Sequence, residues 1–120
     1  MIYTHPEVAS VGYTEEELKA QGAPYQRATV PMAIAGRFLV ENEGAVGLVK
    51  VLAGARYGEI LGVHIVGDGA SEFIVMAAAM IETEMCAADV DAIVFPHPTV
   101  SEALKAAVQQ LKPVSAASAA

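Results

Sequence analysis

Two apolar runs, "AVGLVKVLA" (45–53) and "EILGVHIVG" (59–67), constrain this chain more than any other feature. Both are rich in the β-branched residues that suit a pleated surface. Between them lies "GARYG" (54–58), with a glycine at each end. A short glycine-bearing connection between two such runs predicts a β-hairpin. The rest of the chain must then supply sheet partners and cover an apolar face.

The flanking segments read accordingly. "EVASVGYT" (7–14) predicts a strand, and "TEEELKAQG" (14–22) a helix. There Thr14 caps, Glu17 reaches back to it, and Gly22 stops the helix. "YQRATVPM" (25–32) predicts a strand that Pro31 ends or marks as an edge. "GRFLVENEG" (36–44) predicts a short strand with a turn around Asn42 to Gly44. Over 69–85 the spacing becomes helical, with Phe73, Ala77, Met80, Ile81 and Glu84 near one stripe. "AADVDAIV" (87–94) predicts a short helical turn, and "TVSEALKAAVQQL" (99–111) a last amphipathic helix. A helix, antiparallel strands and then helices, without βαβ alternation, indicate the α+β class. No repeat or linker divides the chain, so the domain spans 1–112, and the aperiodic tail 113–120 is expected to fray.

Composition narrows the function. Hydrophobic residues make up 54% of 120 and mean hydropathy is +0.43. That calls for a tight core or an apolar face meant for a partner. No run reaches the roughly 18 apolar residues of a membrane-spanning helix. "MIYTHPEVAS" lacks the basic-then-apolar pattern of a signal peptide, so a cytoplasmic location is expected. A net charge of −7 opposes nucleic-acid binding, because phosphates would be repelled. One cysteine, Cys86, excludes an internal disulfide, a CxxC pair and a thiolate zinc site. It lacks a basic neighbour and reads as a small buried hydrophobe.

The chemistry-bearing stretch is "IVFPHPTVSEALKAA" (93–107). Pro96 and Pro98 restrict the backbone on both sides of His97, and the His97–Pro98 bond is a candidate cis peptide. Glu102, five residues on, falls at the start of the last helix. Two readings fit this spacing. Glu102 can accept the Nδ1–H of His97, fix its tautomer and leave Nε2 free as a base. Alternatively, Thr99-Val100-Ser101-Glu102 is an S/T-x-x-E capping box, and Glu102 closes a helix N-terminus. His64 alternates onto the face opposite Leu61, Val63 and Ile65 and reads as structural, as does His5 in its turn-like opening. Three dispersed histidines have no zinc-ligand spacing, so no metal site is assigned. "GDGASE" (67–72) precedes a helix but lacks the Lys-Ser/Thr of a phosphate-binding loop.

"YTHPEVASVGYTEEELK", "GLVKVLA…ILGVHIVGDGASE" and "HPTVSEALKAA" together resemble a known module over about Tyr3 to Leu111. It is the C-terminal dimerisation (interface) domain of the flavin disulfide reductases, in their dihydrolipoamide dehydrogenase branch. Ala103 after the Ser-Glu pair resembles that branch, where glutathione-reductase-like members usually carry another acid. The resemblance implies that His97 is the base and acid toward a dithiol, and that Glu102 orients it. It also implies that the pair reaches across a twofold axis into the partner subunit's site, with the backbone at His97 and Pro98 approaching the partner's flavin. FAD, NAD and the redox cysteines would belong to domains that precede this one in the family. The start at Met1 is therefore expected to fall at a domain boundary.

Several expectations follow. In the complete homodimer, dihydrolipoyl groups carried on the lipoyl domain of a 2-oxo acid dehydrogenase complex would be reoxidised with NAD. The isolated chain would bind neither FAD nor NAD and be inactive. The alternatives are the interface domain of a glutathione-reductase-like enzyme, and a stand-alone self-association module without catalysis.

Overall fold

The hairpin forms where the two apolar runs place it. In the computed structural model, which describes residues 1–114, β3 spans Leu48–Gly54 and β4 spans Ile60–Val66. They pair antiparallel from Leu48 opposite Val66 to Ala53 opposite Ile60, with a register shift between Leu52 and Ala53. Gly58 turns the connection at φ +74°, its N–H donating to Gly54 O at 3.0 Å. A side chain would be disfavoured at that dihedral. β1 (Val8–Gly12) adds to the outer edge of β4, and β2 (Tyr25–Pro31) to that of β3. The sheet order is β1-β4-β3-β2, antiparallel throughout.

Period-two alternation decides which face is covered. Ala9, Val63, Ile65, Val49, Val51, Ala28 and Val30 share one face by register, and all are buried. Helix α3 (Ala70–Glu82) packs over β1 and β4 there, and α5 (Glu102–Gln109) over β2 and β3. Burying each of the larger aliphatic chains stabilises the fold by about 1.5–3 kcal/mol. α4 (Ala87–Ala92) packs on α5. Helix α1 (Glu15–Ala20) is tied to the opposite face of the sheet. Its Glu15 accepts from Tyr25 Oη at 2.9 Å, Lys50 Nζ at 3.1 Å and Arg27 Nη1 at 3.4 Å. Thr14 and Glu17 close α1 with the full reciprocal cap read from the sequence, at 2.8 and 3.2 Å. The outcome is the expected α+β fold, an antiparallel sheet with helices packed against it.

Three sequence expectations are corrected. Residues 36–41 form helix α2 (Gly36–Glu41), not a strand. Phe38 alone of this segment is fully buried, while Leu39 and Val40 are exposed, so one inward side chain per turn replaces alternation. Arg37 Nε donates to Glu41 Oε1 at 2.6 Å across that turn. The third helix ends at Glu82, and Glu84, assigned to its stripe, lies outside it at φ +54°. The last helix starts at Glu102 instead of 99, which leaves Thr99 to Ser101 free for other bonds. Of the tail expected to fray, 113–120, the part from residue 115 lies outside the described residues. Among the described residues no helix is long and apolar enough to cross a membrane.

Candidate functional site

The segment after α4 leaves the core and returns at α5, with His97 at its exposed turn. Four tethers hold this excursion. Lys105 Nζ donates to Ile93 O and lies 5.6 Å from the Phe95 ring centroid. Thr99 Oγ1 donates to Pro96 O at 2.8 Å. Arg37 Nη1, on α2, reaches Pro98 O at 3.4 Å. The fourth tether is Glu102 itself. The His97–Pro98 peptide is cis, as is His5–Pro6.

Glu102 is where the two sequence readings meet. Its Oε1 lies 2.9 Å from His97 Nδ1 and its Oε2 accepts the Thr99 N–H at 2.9 Å. One carboxylate therefore orients the imidazole and also satisfies a backbone donor at the helix entrance. The Thr99 N–H, and after it the His97 side chain, hold the Glu102 carboxyl below the usual carboxylate range. An ionised Glu102 can only accept, so Nδ1 carries the hydrogen. In the neutral ring Nε2 is then the basic nitrogen. The His97 side chain is 79% exposed and Glu102's 27%. Among the described residues, no group bonds to Nε2.

A groove of about 420 Å³ adjoins the pair, lined by Ile34, Val94, Phe95 and Lys105 beside His97 and Glu102. A second concavity of similar volume, near Tyr57, Cys86 and Val108, contains neither an imidazole nor a paired acid. The chemistry favours the first.

The other histidines hold structure together. His64 Nε2 lies 2.9 Å from Tyr13 O, an acceptor, so Nε2 carries the hydrogen. Its Nδ1 then accepts from Ser10 Oγ at 3.0 Å, joining β4 to β1. His5 Nδ1 meets Asp68 Oδ2 at 3.1 Å on an open surface. Cys86 is half-buried at the entrance to α4, where its N–H donates to Asp89 Oδ2 at 2.9 Å. Partial burial, with Asp89 and Glu59 nearby, pushes its thiol pKa up. Raised thiol pKa values lower reactivity, which agrees with a packing role.

Sequence reading missed Arg37 and Lys105 as tethers, since both contacts join distant segments. It also missed Glu7, whose Oε2 accepts the Ser71 N–H at 2.8 Å and caps α3 from across the fold. Thr99 carried a visible signal, a hydroxyl one residue after the second proline.

Residues 1–108 match the family described as "Pyridine nucleotide-disulphide oxidoreductase, dimerisation domain". The chain belongs to this family. It is 43% identical over 107 residues to a mitochondrial dihydrolipoyl dehydrogenase of Caenorhabditis elegans, covering 89% of this chain and 21% of that protein. Against mitochondrial dihydrolipoyl dehydrogenase 1 of Arabidopsis thaliana the identity is 45% over 108 residues, with the same coverage. The dimerisation-domain fold also aligns with a HOCl-induced flavoprotein disulfide reductase of Escherichia coli, with TM-score 0.84 and 24% identity. That alignment covers 92% of this chain and 25% of the other. The chain thus spans about a fifth of the length of the curated relatives it matches. The expected membership in the family of flavin disulfide reductase interface domains is borne out.

Proposed function

We propose that this chain acts as the dimerisation domain of a dihydrolipoyl dehydrogenase and lends the His97–Glu102 pair to the partner subunit's active site. One observation carries the reading. The imidazole is fixed through Nδ1 yet turned outward, with Nε2 unengaged among the described residues. His5 is held by Asp68 through Nδ1 in the same way, so the groove lined by Ile34, Val94, Phe95 and Lys105 beside His97 is what singles this imidazole out.

Val94, the residue three before His97, is 90% exposed, and Ile34 and Ile93 are also open. Exposed apolar side chains around a functional turn suit contact with a second subunit. The exposed backbone at His97 and Pro98 is the part of this chain that would approach the partner's flavin. FAD and NAD, held by other domains, would accept the electrons.

The step carried out here is a proton transfer. Nε2 of His97 takes the proton of a dihydrolipoyl thiol and leaves a thiolate, the nucleophilic form. Nδ1–H stays on Glu102, whose negative charge stabilises the imidazolium. The proton later returns from Nε2 to a thiolate or to water. Glu102 is a positioning residue, because its side-chain hydrogen bonds among the described residues go to the base and the Thr99 amide.

The test is His97→Gln in the assembled flavoenzyme. General-base catalysis contributes about 10²–10⁴ in rate, so turnover should fall by that factor while flavin absorbance is retained. Near-normal turnover would overturn the assignment.

A further inference from the structure

The helix entrance at Thr99–Glu102 contains half of a capping box. Thr99 N–H donates to Glu102 Oε2, as the motif requires. The reciprocal bond, from the Glu102 N–H to the threonine hydroxyl, is not made among the described residues. The Thr99 hydroxyl instead donates backwards to Pro96 O at 2.8 Å. It also lies 3.1 Å from Ser101 Oγ. A hydroxyl has one hydrogen, and Pro96 O can only accept, so Ser101 must be the donor in that second contact. A directed chain results, from Ser101 O–H to Thr99 Oγ1 and from Thr99 O–H to Pro96 O. It spans His97 and Pro98 without touching either imidazole nitrogen.

A helix capped normally would be stabilised by such a hydroxyl. Here the hydroxyl is diverted to the turn that carries the imidazole. We propose that Thr99 is a positioning residue for His97, its hydroxyl clamping the Pro96–Thr99 turn so that Nδ1 of the ring meets Glu102. This inference rests on the base reading of His97 given above.

Threonine at 99 fills two separable roles. The backbone N–H fixes Glu102 and survives any substitution except proline. The hydroxyl fixes the turn and is lost in Thr99→Val, which keeps the shape of the side chain. Without the clamp the carboxylate stays in place while the ring swings away from it. Freed from Glu102, His97 distributes its hydrogen between both nitrogens, and a share of molecules carries it on Nε2, where a base cannot accept a proton.

The experiment is nitrogen-15 NMR of His97 in the purified 120-residue chain, comparing wild type, Thr99→Val and Thr99→Ser at alkaline pH. The expected result is a single Nδ1–H tautomer in wild type, a mixture in Thr99→Val, and the wild-type pattern again in Thr99→Ser. In the assembled flavoenzyme, kcat should fall between about ten- and a hundredfold in Thr99→Val with KM unchanged, recovering in Thr99→Ser. A Nδ1–H tautomer in both wild type and Thr99→Val would overturn the clamp and leave the His97–Glu102 pair intact. A mixed tautomer already in wild type would remove the pair itself, and the clamp with it. Should Thr99→Val fail to fold, exchange of the Thr99 hydroxyl proton in wild type decides the matter. Slowed exchange supports the clamp, and exchange at the rate of a free hydroxyl refutes it.

Discussion

Replacing Glu102 by glutamine changes almost no shape, yet it should invert the chemistry of His97. Glu102 has two acceptor oxygens in use, one toward Nδ1 at 2.9 Å and one toward the Thr99 N–H at 2.9 Å. Glutamine offers one oxygen and one NH₂ in their place. The Thr99 amide is a fixed backbone donor, so the amide oxygen must face it, and the NH₂ then faces Nδ1. The imidazole has to move its hydrogen to Nε2 to present an acceptor. The opposite amide orientation sets two donors against each other at Thr99, and a penalty of that kind suppresses the productive tautomer about five- to 150-fold. Loss of the charge that stabilises the imidazolium adds to this, within the roughly 10²–10⁴ that a general base supplies. Dithiol-dependent reduction of NAD by the assembled flavoenzyme should therefore fall by about 10²–10³, with nitrogen-15 NMR of the variant domain showing Nε2–H. Retained turnover together with an Nδ1–H tautomer would refute the reasoning, since glutamine would then be accepting where the geometry makes it donate.

Two further effects concern the scaffold. Partial burial tends to raise the Glu15 pKa, but hydrogen bonds from Tyr25 and Lys50, with the charges of Lys50 and Arg27, bring it down to about 2. A depressed carboxyl pKa stabilises the fold above the unfolded value near 4.5, and that contribution is lost as pH falls toward 2. Wild type and Glu15→Gln should thus differ in urea midpoint at pH 6 and converge by pH 2; a constant gap would contradict the assignment. Leu104, fully buried on the helix that carries Glu102, should cost about 2–5 kcal/mol when changed to alanine. Denaturant unfolding reads this loss, and a value below about 1 kcal/mol would mean that α5 is not seated in the core as described.

Local signals were legible wherever neighbours in sequence are also neighbours in space. The hairpin at Gly54 to Gly58, the Thr14–Glu17 cap and the His97–Glu102 approach all join residues within a few positions of one another. Helix α2 was misread because Phe38, Leu39 and Val40 are apolar without being buried together. Only Phe38 enters the core, and the long-range packing that selects it leaves no periodic trace in six residues. The tethers from Arg37 to Pro98 and from Glu7 to Ser71 span the chain and were invisible for the same reason. At Thr99 the motif was recognisable but its outcome was not, because the competing acceptor, Pro96 O, enters only once the proline turn has folded back.

The central claim concerns trans delivery, the imidazole of one subunit working on thiols bound at the other. Hybrid dimers of the assembled flavoenzyme test it directly, with one subunit carrying His97→Gln and its partner lacking a redox cysteine. If the imidazole crosses between subunits, one of the two sites regains both an intact histidine and intact cysteines, and the hybrid should show about half of wild-type turnover. If each subunit uses its own histidine, both sites in the hybrid are broken, and the absence of turnover would contradict the account.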